Sequence, residues 1–253
     1  MPGARPTPAA PPAPDPRCDS LFLDLDGTLA EIAPSPDAAA LHPEAAALLP
    51  RLVPAFSGRV AVVSGRSIDT LERMLPPAAL AAGLALAGTH GLEVRSAGAT
   101  VAGARPAPGL AAAGRALAGL VSADSRLLVE DKRLSVALHY RGAPEREAEL
   151  RKGAARIAAE CGLSVQTGKM VVELRTPGPD KGGAVRRLMR EPPFAGSKPW
   201  VIGDDDTDEA GFAAAADLGG QGIRVGPASQ TCAPFRLADV SAVTAWLTLG
   251  LAG

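Results

Sequence analysis

The run Leu21-Phe22-Leu23-Asp24-Leu25-Asp26-Gly27-Thr28-Leu29 constrains the fold more than any other part of the chain. A continuous apolar run that stops near a glycine suits a short strand buried on both faces, as in a parallel sheet covered by helices. A strand ending in Asp-x-Asp-Gly-Thr carries its acids to the carboxyl edge of the sheet, where open α/β folds bind ligands. Gly27 permits a sharp turn, and Thr28 offers a hydroxyl and a backbone N–H to an anion. The layout suits attack by Asp24 on a phosphoryl group, with Asp26 as general acid and base. The same residues also fit an ordinary Asp-Gly turn, so the rest of the chain decides.

The following segments repeat a strand–helix rhythm. Pro34 and Pro36 predict a loop, residues 42–52 a helix, and 59–63 a second buried strand ended by Ser64-Gly65-Arg66. A helix over 67–75 stops at Pro76 and Pro77, and a third strand over 84–87 leads into Gly88-Thr89-His90-Gly91. A hairpin is expected from 93–95 and 100–101 around Ser96-Ala97-Gly98. The rhythm returns after Pro179 with a helix (181–189), a strand (200–202), a short helix (210–216), a strand (222–225) and a closing helix (240–249). Between the two halves the order is helix 108–121, strands 126–130 and 134–140, helix 145–160, and strands 163–165 and 170–174. That order predicts a small antiparallel sheet with helices on one face. The expected architecture is therefore α/β: a Rossmann-like parallel-sheet core over 20–105 and 177–253, with a smaller inserted α+β domain over 106–176. Residues 1–19, rich in Pro and Ala, read as a disordered tail.

With 47% hydrophobic but only 3% aromatic residues, the core must be built mainly from Ala, Leu and Val. A net charge of −1 provides no electrostatic footprint for nucleic acid or an anionic membrane. Cys18, Cys161 and Cys232 have no metal-like spacing and suit a reducing compartment. No run reaches the length of a membrane span, and residues 1–17 lack a signal-peptide h-region. A cytoplasmic monomer is the expectation.

The second chemical signal is Gly203-Asp204-Asp205-Asp206-Thr207-Asp208-Glu209, a crowd of acids directly after an apolar strand. Such crowding is costly without a cation, and Mg2+ takes a few carboxylates together with substrate oxygens and water. Asp24 and Asp204, with the backbone carbonyl of Asp26, could form that site. Ser64, with the N–H groups of Gly65 and Arg66, could hold a phosphate, although Ser-Gly-Arg alone is more often a simple turn. Lys181 opens a helix, an unfavourable end for a cation. A lysine there that reached an aspartate nucleophile and a phosphoryl oxygen would have a reason for its place.

Taken together, Asp-x-Asp-Gly-Thr, Ser64, Lys181 and Gly-Asp-Asp-x-x-Asp resemble the haloacid dehalogenase-like phosphohydrolases. The resemblance implies Asp24 as nucleophile, Asp26 as acid and base, Thr28 and Ser64 on the phosphoryl group, Lys181 as charge stabiliser, and Asp204 with Asp208 at the metal. The insert narrows this further. Glu130-Asp131-Lys132, Ser135-Val-Ala-Leu-His139-Tyr140-Arg141, Gly168-Lys169-Met170-Val-Val-Glu173-Leu-Arg175 and Gly88-Thr-His90-Gly91 look like the trehalose-6-phosphate phosphatase family. That likeness implies a cap that reads a sugar phosphate, with Lys169 and Glu173 the leading candidates and Glu130 and Lys132 behind them. His90 is as well explained by a backbone contact in a loop, His42 and His139 as structural or solvent-facing, and Arg141 as a strand end. Arg66 is left between phosphate contact and pairing with a helix acid. A capped phosphatase for sucrose 6-phosphate or a glycosyl-phosphoglycerate, and a non-catalytic sugar-phosphate sensor, are the alternatives.

Overall fold

A computed structural model describes residues 10–33, 38–96, 102–227 and 230–251. The apolar run becomes β1 (Asp19–Leu23), buried at every position. It pairs in parallel with β2 (Val60–Val63) on one side and β10 (Lys198–Gly203) on the other. Beyond β2 lie β3 (Ala85–Gly88) in parallel, then β4 (Glu93–Arg95) and β5 (Ala102–Gly103) antiparallel. Beyond β10 lie β11 (Gln221–Val225) and β12 (Phe235–Leu237), both parallel. The chain thus builds outward from β1 in one direction and later returns to build outward in the other. The junction of β1 and β10 is a topological switch point, where connections leave in opposite directions and open a crevice at the carboxyl ends.

Because strand side chains alternate, Leu21 and Leu23 enter one core and Phe22 the other. On the first face pack α1 (Pro43–Ala55), α2 (Ile68–Met74), α3 (Pro77–Ala81) and α8 (Val240–Leu249), through Leu49, Leu52, Leu71, Ala79 and Trp246. On the second pack α6 (Lys181–Leu188) and α7 (Glu209–Asp217), through Val185, Leu188 and Phe212. Each fully buried Leu or Phe contributes roughly 1.5–3 kcal/mol of transfer free energy, so the strand run anchors both layers.

A second sheet stands over the carboxyl edge of the first. Its order is β6 (Leu128–Lys132), β7 (Ser135–His139), β9 (Val171–Arg175), β8 (Ser164–Gly168), antiparallel throughout. Helices α4 (Leu110–Val121) and α5 (Glu147–Cys161) cover one face and share a core of Leu117, Val136, Leu138, Tyr140, Leu150 and Leu174. On the uncovered face, Glu130, Ala137 and Glu173 stand side by side in the cross-strand register. The small Ala137 leaves room between the two acids.

The structure differs from the sequence reading at three places. Residues 76–77 do end α2, but Pro77 also starts α3: a proline is tolerated at the first helical position, where its N–H is not needed. β12 is only three residues long, Phe-Arg-Leu, with Phe235 and Leu237 half-buried against the core, too short an alternation to be read as a strand. Residues 10–19, assigned above to a disordered tail, lie on the core. There the Trp246 Nε1–H donates to Pro12 O at 2.8 Å, and Arg59 donates to Asp19 O and Pro16 O. The loop at Pro34 and Pro36, the Ala97-Gly98 turn, the strand at 100–101 and tail residues 1–9 lie outside the described residues. Among the described residues, no helix is long and apolar enough to cross a membrane.

Candidate active site

β1 ends at Leu23, so Asp24 is the first residue beyond the strand, and its N–H donates to Ile202 O of β10 at 2.9 Å. Asp204 follows β10 directly. Between them Gly27 adopts φ +79°, and a Cβ there would lie 2.2 Å from Asp204 Cγ. Only glycine both turns the chain there and lets the second acid approach. Asp208 is set by a capping box: Asp205 N–H donates to Asp208 Oδ2 at 3.0 Å, while the Asp205 side chain receives the opposing backbone N–H. The outcome is three buried carboxylates, Asp24, Asp204 and Asp208, with oxygens within 4.8 Å of one another.

Lys181 reaches this cluster from α6. Asp180 caps that helix, accepting Gly183 N–H at 2.8 Å, and Lys181 Nζ lies 2.9 Å from Asp24 Oδ1 and 2.7 Å from Asp208 Oδ1. Burial opposes the ammonium charge, but Asp208 and then Asp24 outweigh it and hold the lysine above its ordinary pKa. Burial, relieved in part by Lys181 and aggravated by Asp208 and Asp204, pushes the Asp24 carboxyl well up. Burial and the Asp208 charge push Asp204 up to about 6. A pair of charges 4 Å apart interacts by about 4 kcal/mol at an effective dielectric near 20. One buried ammonium therefore cannot balance three buried carboxylates, and the donor set of hard oxygens fits a divalent cation such as magnesium.

Asp24 and Asp204 floor a cavity of about 450 Å³ between the two sheets. Asp24, Asp26, Ser64, Gly65, Lys181 and Asp204 line it from below, and Glu130, Lys132, Lys169 and Glu173 from above. Lys132 Nζ is 3.1 Å from Glu173 Oε2 and 3.9 Å from Glu130 Oε2. Burial works against both charges, yet each stabilises the other: Lys132 is held above its usual pKa, and Glu173 well below the usual carboxylate range. Lys169 reaches downward, with Nζ 3.4 Å from Asp204 Oδ2 and its backbone N–H donating to Asp205. Asp208 lies beneath the cavity floor without lining it, and Thr28 is further removed. It is fully buried behind the cavity wall, and its Oγ1 has no hydrogen-bond partner among the described residues.

Several residues took roles that the sequence left undecided. Arg66 grips Asp26 with two hydrogen bonds of 2.7 Å, so its acid lies in the loop after β1 and not on a helix. His90 lies over Gly65, where a Cβ would come within 2.6 Å of the ring, and its Nε2 is 3.5 Å from Glu173 Oε2. Burial holds its imidazole below the usual pKa, against the pull of Glu173. His139 is not solvent-facing: it lines the cavity, with Nε2 2.8 Å from Glu130 Oε2, and Arg141 lines it too. The legible signal for this roof is the i, i+2 spacing of Glu130 and Lys132 on one strand, with Glu173 on another, which puts these polar side chains on one sheet face.

A family model described as trehalose-phosphatase matches residues 22–241, the span that holds every element of the cavity. The chain belongs to the trehalose-phosphatase family. It is 39% identical over 210 residues to a probable trehalose-phosphate phosphatase of Sinorhizobium fredii, covering 82% of this chain and 78% of that one. It is 38% identical over 230 residues to the trehalose-6-phosphate phosphatase of Escherichia coli, covering 90% and 85%. Among solved structures, a trehalose-6-phosphate phosphatase related protein superposes with TM-score 0.73 at 30% identity, covering 90% of this chain and 95% of that one. The C-terminal domain of the C. albicans trehalose-6-phosphate phosphatase shares the fold, with TM-score 0.80 at 21% identity and 92% of each chain covered. Trehalose-phosphatases are phosphoric monoester hydrolases, and this member is an enzyme of that class.

Proposed function

We propose that this trehalose-phosphatase hydrolyses trehalose 6-phosphate to trehalose and phosphate through a covalent intermediate on Asp24. The observation that carries this reading is Asp24 held by Lys181 at the floor of a cavity whose roof is lined by paired charges. Asp24 Oδ attacks phosphorus as the bond from phosphorus to the sugar oxygen breaks. Asp26 gives its proton to that oxygen, releasing trehalose. Asp26 then takes a proton from water as the water oxygen attacks the aspartyl-phosphate, which frees phosphate and regenerates Asp24. Since Arg66 grips Asp26, the acid must leave that pair to reach the substrate oxygen. Lys181 holds the attacking carboxylate in place and offsets charge on the phosphoryl oxygens. Ser64 and the N–H of Gly65 receive the phosphoryl group. Asp24, Asp204, Asp208 and the Asp26 carbonyl would hold magnesium, which supplies the positive charge that keeps Asp24 ionised and neutralises the phosphoryl group.

In this reading residues 106–176 form a cap over a core of 20–105 and 177–253. The cap selects the sugar because hydroxyls that fail to arrive leave buried Glu173 and half-buried Lys132 and Glu130 poorly paired. Phosphate release across trehalose 6-phosphate, sucrose 6-phosphate, glucose 6-phosphate and p-nitrophenyl phosphate, with magnesium and with chelator, tests it. Strong magnesium-dependent release from trehalose 6-phosphate alone is the expected result. Preference for another member would overturn the substrate, and equal rates in chelator would overturn the metal. Glu173→Gln is expected to lower kcat/KM on trehalose 6-phosphate by about 10²-fold while changing p-nitrophenyl phosphate turnover less than about threefold. Equal losses on both substrates would remove Glu173 from sugar recognition.

A further inference from the structure

Glu93 is a buried acid with no place in the chemistry above. It is 5% exposed, opens β4, and does not line the cavity. One of its oxygens, Oε2, accepts the Thr89 hydroxyl at 3.0 Å and the Ile68 N–H at 3.3 Å. The other, Oε1, lies 3.5 Å from Arg133 Nη1, on the β6–β7 turn beside Lys132.

Thr89 and His90 are consecutive residues in left-handed backbone, with φ of 47° and 52°. Such conformations are disfavoured for side chains of this kind, most of all a β-branched one, and persist only where the surroundings over-determine them. Here Thr89 N–H donates to Arg66 O at 2.8 Å and His90 N–H to Ser64 O at 2.9 Å, which fastens the backbone of the turn to the Ser64 loop. The Glu93–Thr89 bond fastens its side chain. With the turn so held, the His90 ring rests on Gly65 and faces Glu173.

We infer that Glu93 is a positioning residue for sugar recognition: through Thr89 it sets His90 against Glu173, and through Arg133 it bears on the turn that carries Lys132. Lys132 and Glu173 form one ion pair, so a single buried carboxylate in the core acts on both of its members without touching the ligand. The inference rests on the proposed reading of Glu173 and Lys132 as sugar-facing.

Thr89→Val keeps the shape and branching of the residue but removes the donor, and Glu93→Ala removes the acceptor. Each is expected to raise KM for trehalose 6-phosphate by about tenfold or more, with kcat and p-nitrophenyl phosphate turnover within about twofold of the parent. Thr89→Ser, which keeps the bond, is expected to stay within about twofold on both substrates. Glu93→Gln keeps the Thr89 bond but loses the charge facing Arg133, and is expected to raise KM for trehalose 6-phosphate by about two- to fivefold. In Thr89→Val the His90 ring resonance should move from its parent position without any substrate present. With three histidines in the chain, its assignment is direct.

Equal losses on both esters, or an unmoved His90 signal, would show that Glu93 only supports the fold. If Glu93→Ala does not fold, Thr89→Val decides. If the parent enzyme ignores trehalose 6-phosphate, the substrate reading fails by itself. The His90 resonance then still tells whether Glu93 sets that ring.

Discussion

Replacing Asp24 by Asn is expected to lower phosphate release by at least about 10⁴-fold while substrate binding stays within about tenfold of the parent. Asparagine has the same shape and can still present an oxygen to Lys181 Nζ, which sits 2.9 Å from Asp24 Oδ1. It cannot act as the attacking carboxylate, so no covalent intermediate forms. The substitution also removes one of three mutually repelling buried carboxylates. Thermal stability in chelator is therefore expected to hold or rise, which separates lost chemistry from lost folding. The checks are single-turnover phosphate release, calorimetric binding and a melting curve on the same preparation. Turnover within about a hundredfold of the parent would rule out Asp24 as nucleophile.

Lys181→Met is expected to strike stability as well as turnover. The lysine is 4% exposed and supplies the ammonium that bonds both Asp24 and Asp208. Methionine fills similar volume but leaves two buried carboxylates without their cation. Breaking a buried pair in this way costs about 3–5 kcal/mol. For a chain of this size, that corresponds to a fall in Tm of about 6–20 °C in chelator. Part of the loss is softened because the Asp24 carboxyl, already pushed up by burial, can take up a proton. Magnesium should narrow the gap between variant and parent, since a cation replaces part of the missing charge. A metal-free Tm within 2 °C of the parent, on the order of a negligible stability change, would show that Lys181 does not hold the acids together.

Much of the core was legible because its signals are local. The run into Asp24 had to be a doubly buried strand, and Val60–Val63, Ala85–Gly88 and Lys198–Gly203 follow the same logic of short apolar runs between turns. The four-stranded antiparallel sheet with its two helices was legible because the order of elements changed. The pieces that escaped have weak or ambiguous local codes: α3 begins at a proline that also reads as a stop, and the Phe-Arg-Leu of β12 is too short for its alternation to mark a strand. The proline-rich stretch from residue 10 has the composition of a disordered tail, yet Pro11 and Pro14 are buried. Composition does not record whether a complementary surface exists elsewhere, and here Trp246 and Phe56 provide one.

The side chains of the cavity divide in the same way. Asp24, Asp26, Ser64, Lys181 and Asp204 stand out in the sequence because each follows a strand or opens a helix, positions that a local pattern specifies. Their pairing does not stand out. Arg66 meets Asp26 across 40 positions of chain, Lys132 meets Glu173 across 41, and Lys169 meets Asp204 across 35. His90 reaches Glu173 only because two residues hold left-handed backbone that no periodicity announces. By itself the sequence determined the order of most elements and the kinds of groups available at the carboxyl edge, since these follow from short-range hydrophobic period and turn chemistry, while its joined motifs carried the family resemblance. The tertiary structure alone decided which charge neutralises which, and that Thr28 lies behind the wall. Those outcomes depend on strand register and on the seating of one sheet over another, contacts between segments far apart in the chain.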